Sequence, residues 1–185
     1  MCLFGEFKNR INCWMIRRIL KSALIFEPDS YNLYISIKDA VEKSLAGSRA
    51  DIADMEDMTD MEDNMVSNVI AALDSLINQE KLHEELIREI KGEMECPGLK
   101  KALKRIPEMH LTNIGDIMPL GRIVDKSISL KINEAVEQEE DSFKFYMNLY
   151  RMSKIGSVKE AFSLLADQES IHLILLKKLM GKDRF

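Results

Sequence analysis

Apolar residues recur along most of this chain in alternating steps of three and four, the spacing that lines one face of an α-helix. Val69, Leu73, Leu76, Glu80, His83, Ile87 and Ile90 make one such stripe, and Val158, Phe162, Leu165, Glu169, His172, Leu176 and Leu179 a second. Ile128, Ile132, Val136, Glu139, Phe143, Tyr146 and Tyr150 make a third, and Ile37, Val41, Ser44, Ser48, Asp51, Met55 and Met58 a fourth. The pattern predicts four helices. The first runs from about Tyr31, capped by Asp29 or Ser30, to about Asp60. The second ends near Gly92, and the third covers about Ser127 to Ser153. Gly156 makes a turn, and Ser157 with Glu160 reads as a capping box for a fourth helix reaching about Met180. Residues 93–126 hold Pro97, Pro107 and Pro119 with Gly98, Gly115 and Gly121, too broken for one long helix, and read as a crossover containing short helices. The expected architecture is all-α: an antiparallel four-helix bundle of two hairpins, 31–92 and 127–181, in a domain spanning 31–185. A basic, apolar leader, 1–30, precedes it and is broken from it at Glu27-Pro28-Asp29-Ser30.

An internal repeat supports the two-hairpin reading. LINQEKLHEELIREIKG at 76–92 aligns without a gap, at an offset of 89, on LADQESIHLILLKKLMG at 165–181. The shared content is L-x-x-Q-E-x-x-H-x-x-L followed by Gly, closing the second helix of each hairpin.

Where the seam calls for an apolar side chain, it carries Glu80, His83, Glu139, Glu169 and His172. An unpaired carboxylate is too costly to bury without a partner, and three carboxylates with two imidazoles at similar depth call for a cation between them. Residues three apart share a helix face, so Glu80 with His83, and Glu169 with His172, can each bind one ion. Oxygen-rich ligation with one imidazole per ion suits iron or manganese, and zinc also fits. The competing reading is that buried Glu and His satisfy each other by hydrogen bonds. Tyr146, two turns from Glu139, either stands behind a metal ligand or is a core tyrosine with its hydroxyl satisfied.

AVEQEEDSFKFY at 135–146 resembles the A-x-x-x-E-x-x-x-x-x-F-Y helix of rubrerythrin-type ferritin-like proteins, and LADQESIH at 165–172 resembles their L-A-x-x-E-x-x-H helix. The likeness is good over 130–180 and partial over 66–92. It implies a ferritin-like bundle whose Glu139, Glu169, His172, Glu80 and His83 ligate a di-metal centre that reacts with oxygen or peroxide. The first helix departs from the family: at the repeat offset, Ala50 stands opposite Glu139. Either the register slips and Asp51 supplies the carboxylate, with Asp54 the second choice, or that ligand is absent.

Composition narrows the remaining classes. The 185 residues are 46% hydrophobic and 31% charged, enough for one domain with a sizeable core. The net charge of -5 gives no general nucleic-acid footprint. Cys2, Cys13 and Cys96, unpaired in spacing, suit a reducing compartment, and the chain reads as cytoplasmic. Residues 11–26 are apolar but broken by Arg17, Arg18 and Lys21, which favours a helix packed on the bundle over a membrane-surface helix. The segment 51–63, DIADMEDMTDMED, reads as an amphipathic helix end with acids in water, and His110 as structural or exposed. Two functions follow: a metalloprotein that oxidises Fe(II) or reduces peroxide, or a non-catalytic bundle acting through partners. The first implies an external electron donor, since no four-cysteine redox module is present. A homodimer through a helix face is also expected.

Overall fold

The computed structural model describes residues 3–51, 59–92, 119–120 and 125–181. Most of the crossover, His110 and the Met-rich segment 52–58 lie outside the described residues. Among those described, four long helices carry the fold: α1 (Leu3–Asp51), α2 (Thr59–Gly92), α3 (Lys126–Met152) and α4 (Gly156–Leu179). Among the described residues, no helix is long and apolar enough to cross a membrane.

The largest departure from the sequence reading is at the start. The expected break at residues 27–30 does not occur: α1 runs through it with Pro28 inside the helix, so leader and first helix are one element and neither Asp29 nor Ser30 is a cap. Proline removes one i→i−4 hydrogen bond, here the one to the Leu24 carbonyl. Packing offsets that loss. Ile16, Leu20, Ala23, Glu27, Ser30, Tyr34, Ile37 and Val41 are all buried, in unbroken steps of four and three across Pro28. One continuous seam favours one continuous helix over two shorter ones, because helix stability in proteins comes mainly from packing of the buried face.

The buried residues fall into two apolar clusters. In one, Ile16, Leu20 and Ala23 of α1 pack with Leu86, Ile87 and Ile90 of α2, Tyr146 and Leu149 of α3, and Val158 and Phe162 of α4. In the other, Tyr34, Ile37 and Val41 pack with Val69, Leu73 and Leu76, Ile128 and Ile132, and Leu175, Leu176 and Leu179. Early α1 thus meets late α2 and late α3, so each hairpin is antiparallel and the two hairpins run antiparallel to each other. On α3 the fully buried positions are Ala135 and Leu149, in place of the expected Val136 and Tyr150.

Helix ends follow local chemistry. Asp125 caps α3, its carboxylate accepting from the Ser127 and Ile128 amides at 2.7 and 2.8 Å. The predicted capping box on α4 is not formed: Ile155 is the N-cap and makes no side-chain cap bond, and Ser157 already lies inside the helix. Gly181 ends α4 in the left-handed region, with φ 65°, where a side chain would be strained.

Candidate metal centre

Between the two apolar clusters lies a layer of buried polar groups: Glu27, Ser30, Gln79, Glu80, His83, Glu139, Gln168, Glu169 and His172. All five seam residues singled out in the sequence meet there, and Tyr146 stands beside them. The layer holds a carboxylate that the sequence reading missed, Glu27 of α1. Asp51 ends α1, about 36 Å of helix beyond Glu27 at 1.5 Å per residue. Its side chain, like all of Asp54, lies outside the described residues.

The sequence did carry a signal for Glu27. EPDSYNLY at 27–34 matches EEDSFKFY at 139–146 in Glu, Asp, Ser and Tyr, at an offset of 112. The fixed offset of 89 from the second helices hid it, since the first hairpin is longer across its turn. With both offsets, Ile16, Leu20, Ala23, Glu27 and Tyr34 correspond to Ile128, Ile132, Ala135, Glu139 and Tyr146, and Gln79, Glu80 and His83 to Gln168, Glu169 and His172. The two hairpins are related by an approximate two-fold, and the polar layer straddles it.

The distances divide the layer into two linked sets. His172 Nδ1 lies 3.1 Å from Glu80 Oε1, 3.2 Å from Glu139 Oε2 and 3.2 Å from Glu169 Oε2. His83 Nδ1 lies 3.3 Å from Glu169 Oε1, 3.5 Å from Glu27 Oε2 and 3.9 Å from Glu80 Oε2. Glu80 and Glu169 therefore each turn one oxygen toward either imidazole, while Glu27 and Glu139 serve one side each. The two imidazoles stack, with ring centroids 5.4 Å apart. Ligand atoms of Glu80, Glu139, Glu169 and His172, and of Glu27, His83 and Glu169, lie close enough within each set to share an ion.

Polar partners behind the layer cross from one hairpin to the other. His172 Nε2 faces Gln79 Oε1 at 2.6 Å, and His83 Nε2 faces Gln168 Oε1. A glutamine oxygen only accepts, so each Nε2 carries the hydrogen, an assignment made from the hydrogen-bond network. Each Nδ1 is thereby turned toward the carboxylates. Tyr34 donates to Glu139 Oε1 and Tyr146 donates to Glu27 Oε1.

Charge is unevenly shared in this layer. Burial, reinforced by Glu169, pushes the carboxyls of Glu139 and Glu27 up, Glu139 strongly. Burial pushes Glu80 up to about 8. Burial also opposes ionisation of Glu169, but His83, Glu139 and His172 outweigh it and hold that group well below the usual carboxylate range. Burial favours neutral imidazoles, yet the carboxylates, led by Glu169 for His83 and Glu139 for His172, hold both well above the ordinary histidine range. Even so, Glu27 Oε2, Glu80 Oε1, His83 Nδ1 and both Glu169 oxygens make no hydrogen bond. Buried polar atoms are rarely left so, and these orphans all point into the space between the two imidazoles and four carboxylates. Four carboxylates and two imidazoles fit two divalent cations by donor type and by charge.

A family model for rubrerythrin, a ferritin-like di-iron family, matches residues 131–184, which span α3 from its sixth residue and all of α4. The resemblance seen in the sequence holds over that segment, and the all-helical bundle agrees with it. No curated protein and no solved structure matches the chain.

Proposed function

We propose that this chain binds a pair of iron or manganese ions in the polar layer and uses them for oxidation of Fe(II) or reduction of peroxide. The observation that carries this reading is the pair of two-fold-related donor sets that share Glu80 and Glu169, with five of their atoms unpartnered. Hydrogen bonding among the groups themselves leaves those atoms unsatisfied, which weakens the reading of the layer as a self-contained polar core. A missing first-helix carboxylate would favour the non-catalytic reading, and the buried Glu27 of α1 counts against it.

Glu27, Glu80 and His83 would hold one ion, Glu139, Glu169 and His172 the other, with Glu80 and Glu169 spanning both. Such a pair supplies one electron per ion to oxygen or peroxide. The protein's own part is to hold the ligands in register and keep bulk water out. Gln79 and Gln168 fix the imidazole tautomers, and Tyr34 and Tyr146 fix the outer carboxylates. Burial keeps the Tyr34 phenol a donor, well above the ordinary tyrosine range, with Glu139 adding to the effect. Peroxide turnover would draw its electrons from a separate donor.

The test is metal analysis of protein expressed with iron and manganese supplied, alongside a Glu169→Ala, His172→Ala protein of matched helicity. About two ions per wild-type chain and loss of both metal and turnover in the variant are expected. Equal metal content and equal turnover in the two proteins would end the reading.

A further inference from the structure

The approximate two-fold that relates the hairpins is obeyed closely in the polar layer and broken around it. Between α1 and α2 a cleft of about 380 Å³ opens against the layer, lined by Glu27, Pro28, Tyr31, Asn32, Glu80, Lys81 and Glu84. Two of these, Glu27 and Glu80, are site carboxylates only 2% exposed, and each has an oxygen with no hydrogen-bond partner. Glu84 stands one helical turn outward from Glu80 on the same face of α2. It is 30% exposed and held at the rim by Arg88. Lys81 lies along the cleft wall with its ammonium over the Tyr31 ring, 5.1 Å from its centre.

The two-fold-related face, between α3 and α4, has different chemistry at the same positions. Phe143 stands for Tyr31, Lys144 for Asn32 and Leu173 for Glu84. Phe143 packs against the apolar cluster, and Lys177 ties α4 to Glu140 of α3 at 3.3 Å. One face thus offers an open cleft leading from a rim carboxylate to two buried ones. The other has Leu173 where the rim carboxylate would stand, Phe143 packed on the apolar cluster, and an ion pair that joins its two helices. A second hollow, between α1 and α3, is lined by Asp29, Ser30, Gln138, Asp141, Ser142 and Phe145 and reaches none of the site carboxylates.

From this asymmetry we infer that divalent cations load the centre through the α1–α2 cleft, with Glu84 as their first ligand and Glu80 and Glu27 as the next. The inference rests on the metal-binding reading above and adds a direction to it. A hydrated cation would exchange the Arg88 partner of Glu84 for itself, then shed water as it passes inward to the orphaned oxygens. Glu84 belongs to loading and takes no place in the filled site.

The test is anaerobic stopped-flow loading of the full-length, metal-free protein with Co(II), followed by its ligand-field absorption, with equilibrium Co(II) content measured separately. Glu84→Gln removes the rim charge, Asn32→Trp obstructs the exposed mouth, and Lys144→Trp obstructs the corresponding position on the opposite face. The expected result is loading slowed roughly three- to tenfold in the first two variants, as for loss of a steering charge or of access. Lys144→Trp should load at the wild-type rate, and all four proteins should reach the same final content. Wild-type rates in both cleft variants, or slowing by Lys144→Trp alone, would overturn the route and leave the metal-binding reading standing. A wild-type protein that takes up no Co(II), Fe(II) or Mn(II) would overturn both.

Discussion

Burial and mutual charge favour the protonated forms of most groups in the polar layer, so on the metal-binding reading affinity should rise with pH. In the metal-free protein burial raises the Glu80 pKa to about 8, so that group holds its proton at pH 7, and Glu139, His83 and His172 are each raised well above their ordinary values. Metal ligation needs carboxylates ionised and imidazoles neutral at Nδ1, so cations must displace these protons. Filling the site should release protons, that of Glu80 among them, and so at least about one per chain at pH 7. By linkage, each proton released raises the apparent affinity about tenfold per pH unit, or about 1.4 kcal/mol. The slope should fall above pH 8, where Glu80 ionises without help. Isothermal titration with Mn(II) at several pH values, in two buffers of different ionisation enthalpy, reads both the proton count and the slope. No release of protons at pH 7, or an affinity flat from pH 6 to 8, would refute this account of the layer.

The same protonation states predict the stability of the metal-free protein. Glu27, Glu80, Glu139, His83 and His172 all bind protons more tightly folded than unfolded. Their contribution is therefore greatest at low pH: melting temperature should fall as pH rises from about 5 to 8, and a rise over that range would contradict it. Glu169 has the opposite sign, so its contribution is lost only as the pH falls below the ordinary carboxylate pKa of about 4.3. Glu27→Gln should lower metal content toward one ion per chain while Asp51→Asn leaves it unchanged; metal analysis giving the reverse would reinstate the register that places Asp51 at the site. Tyr34→Phe or Tyr146→Phe should weaken Co(II) binding about 10- to 100-fold, as for lost hydrogen bonds behind metal ligands, and unchanged titration curves would show that these hydroxyls serve only packing. Phe162→Ala, at a fully buried core position, should cost about 3–5 kcal/mol in denaturant unfolding, and a loss below about 1 kcal/mol would mean the apolar cluster around Phe162 repacks freely.

Much of this organisation was legible in the sequence because burial imposes a period. Polar residues on an otherwise apolar seam stand out, which is why Glu80, His83, Glu139, Glu169 and His172 could be named, and the stripes of α2 and α4 are those predicted. Glu27 escaped for two physical reasons. Pro28 and the turn-forming Asp29 and Ser30 are strong local signals for a helix break, and local propensity was allowed to outvote a seam that continues through them. The hairpins also differ in length, so no single offset aligns both helices of the repeat. The crossed partners were illegible for another reason. Gln79 and Gln168 appear in the repeat, but only the packed hairpins show each glutamine facing the other hairpin's histidine.

That crossing has a consequence for the order of events in folding. Tyr146 reaches Glu27 across 119 residues, Tyr34 reaches Glu139 across 105, and His172 reaches Gln79 across 93. Contacts so distant in sequence form late, because the intervening chain must first surrender its freedom. Until the hairpins dock, neither has its histidine oriented by the other's glutamine or its outer carboxylate anchored by the other's tyrosine. On the metal-binding reading, Glu80 and Glu169 come to span both donor sets only once the two halves have docked.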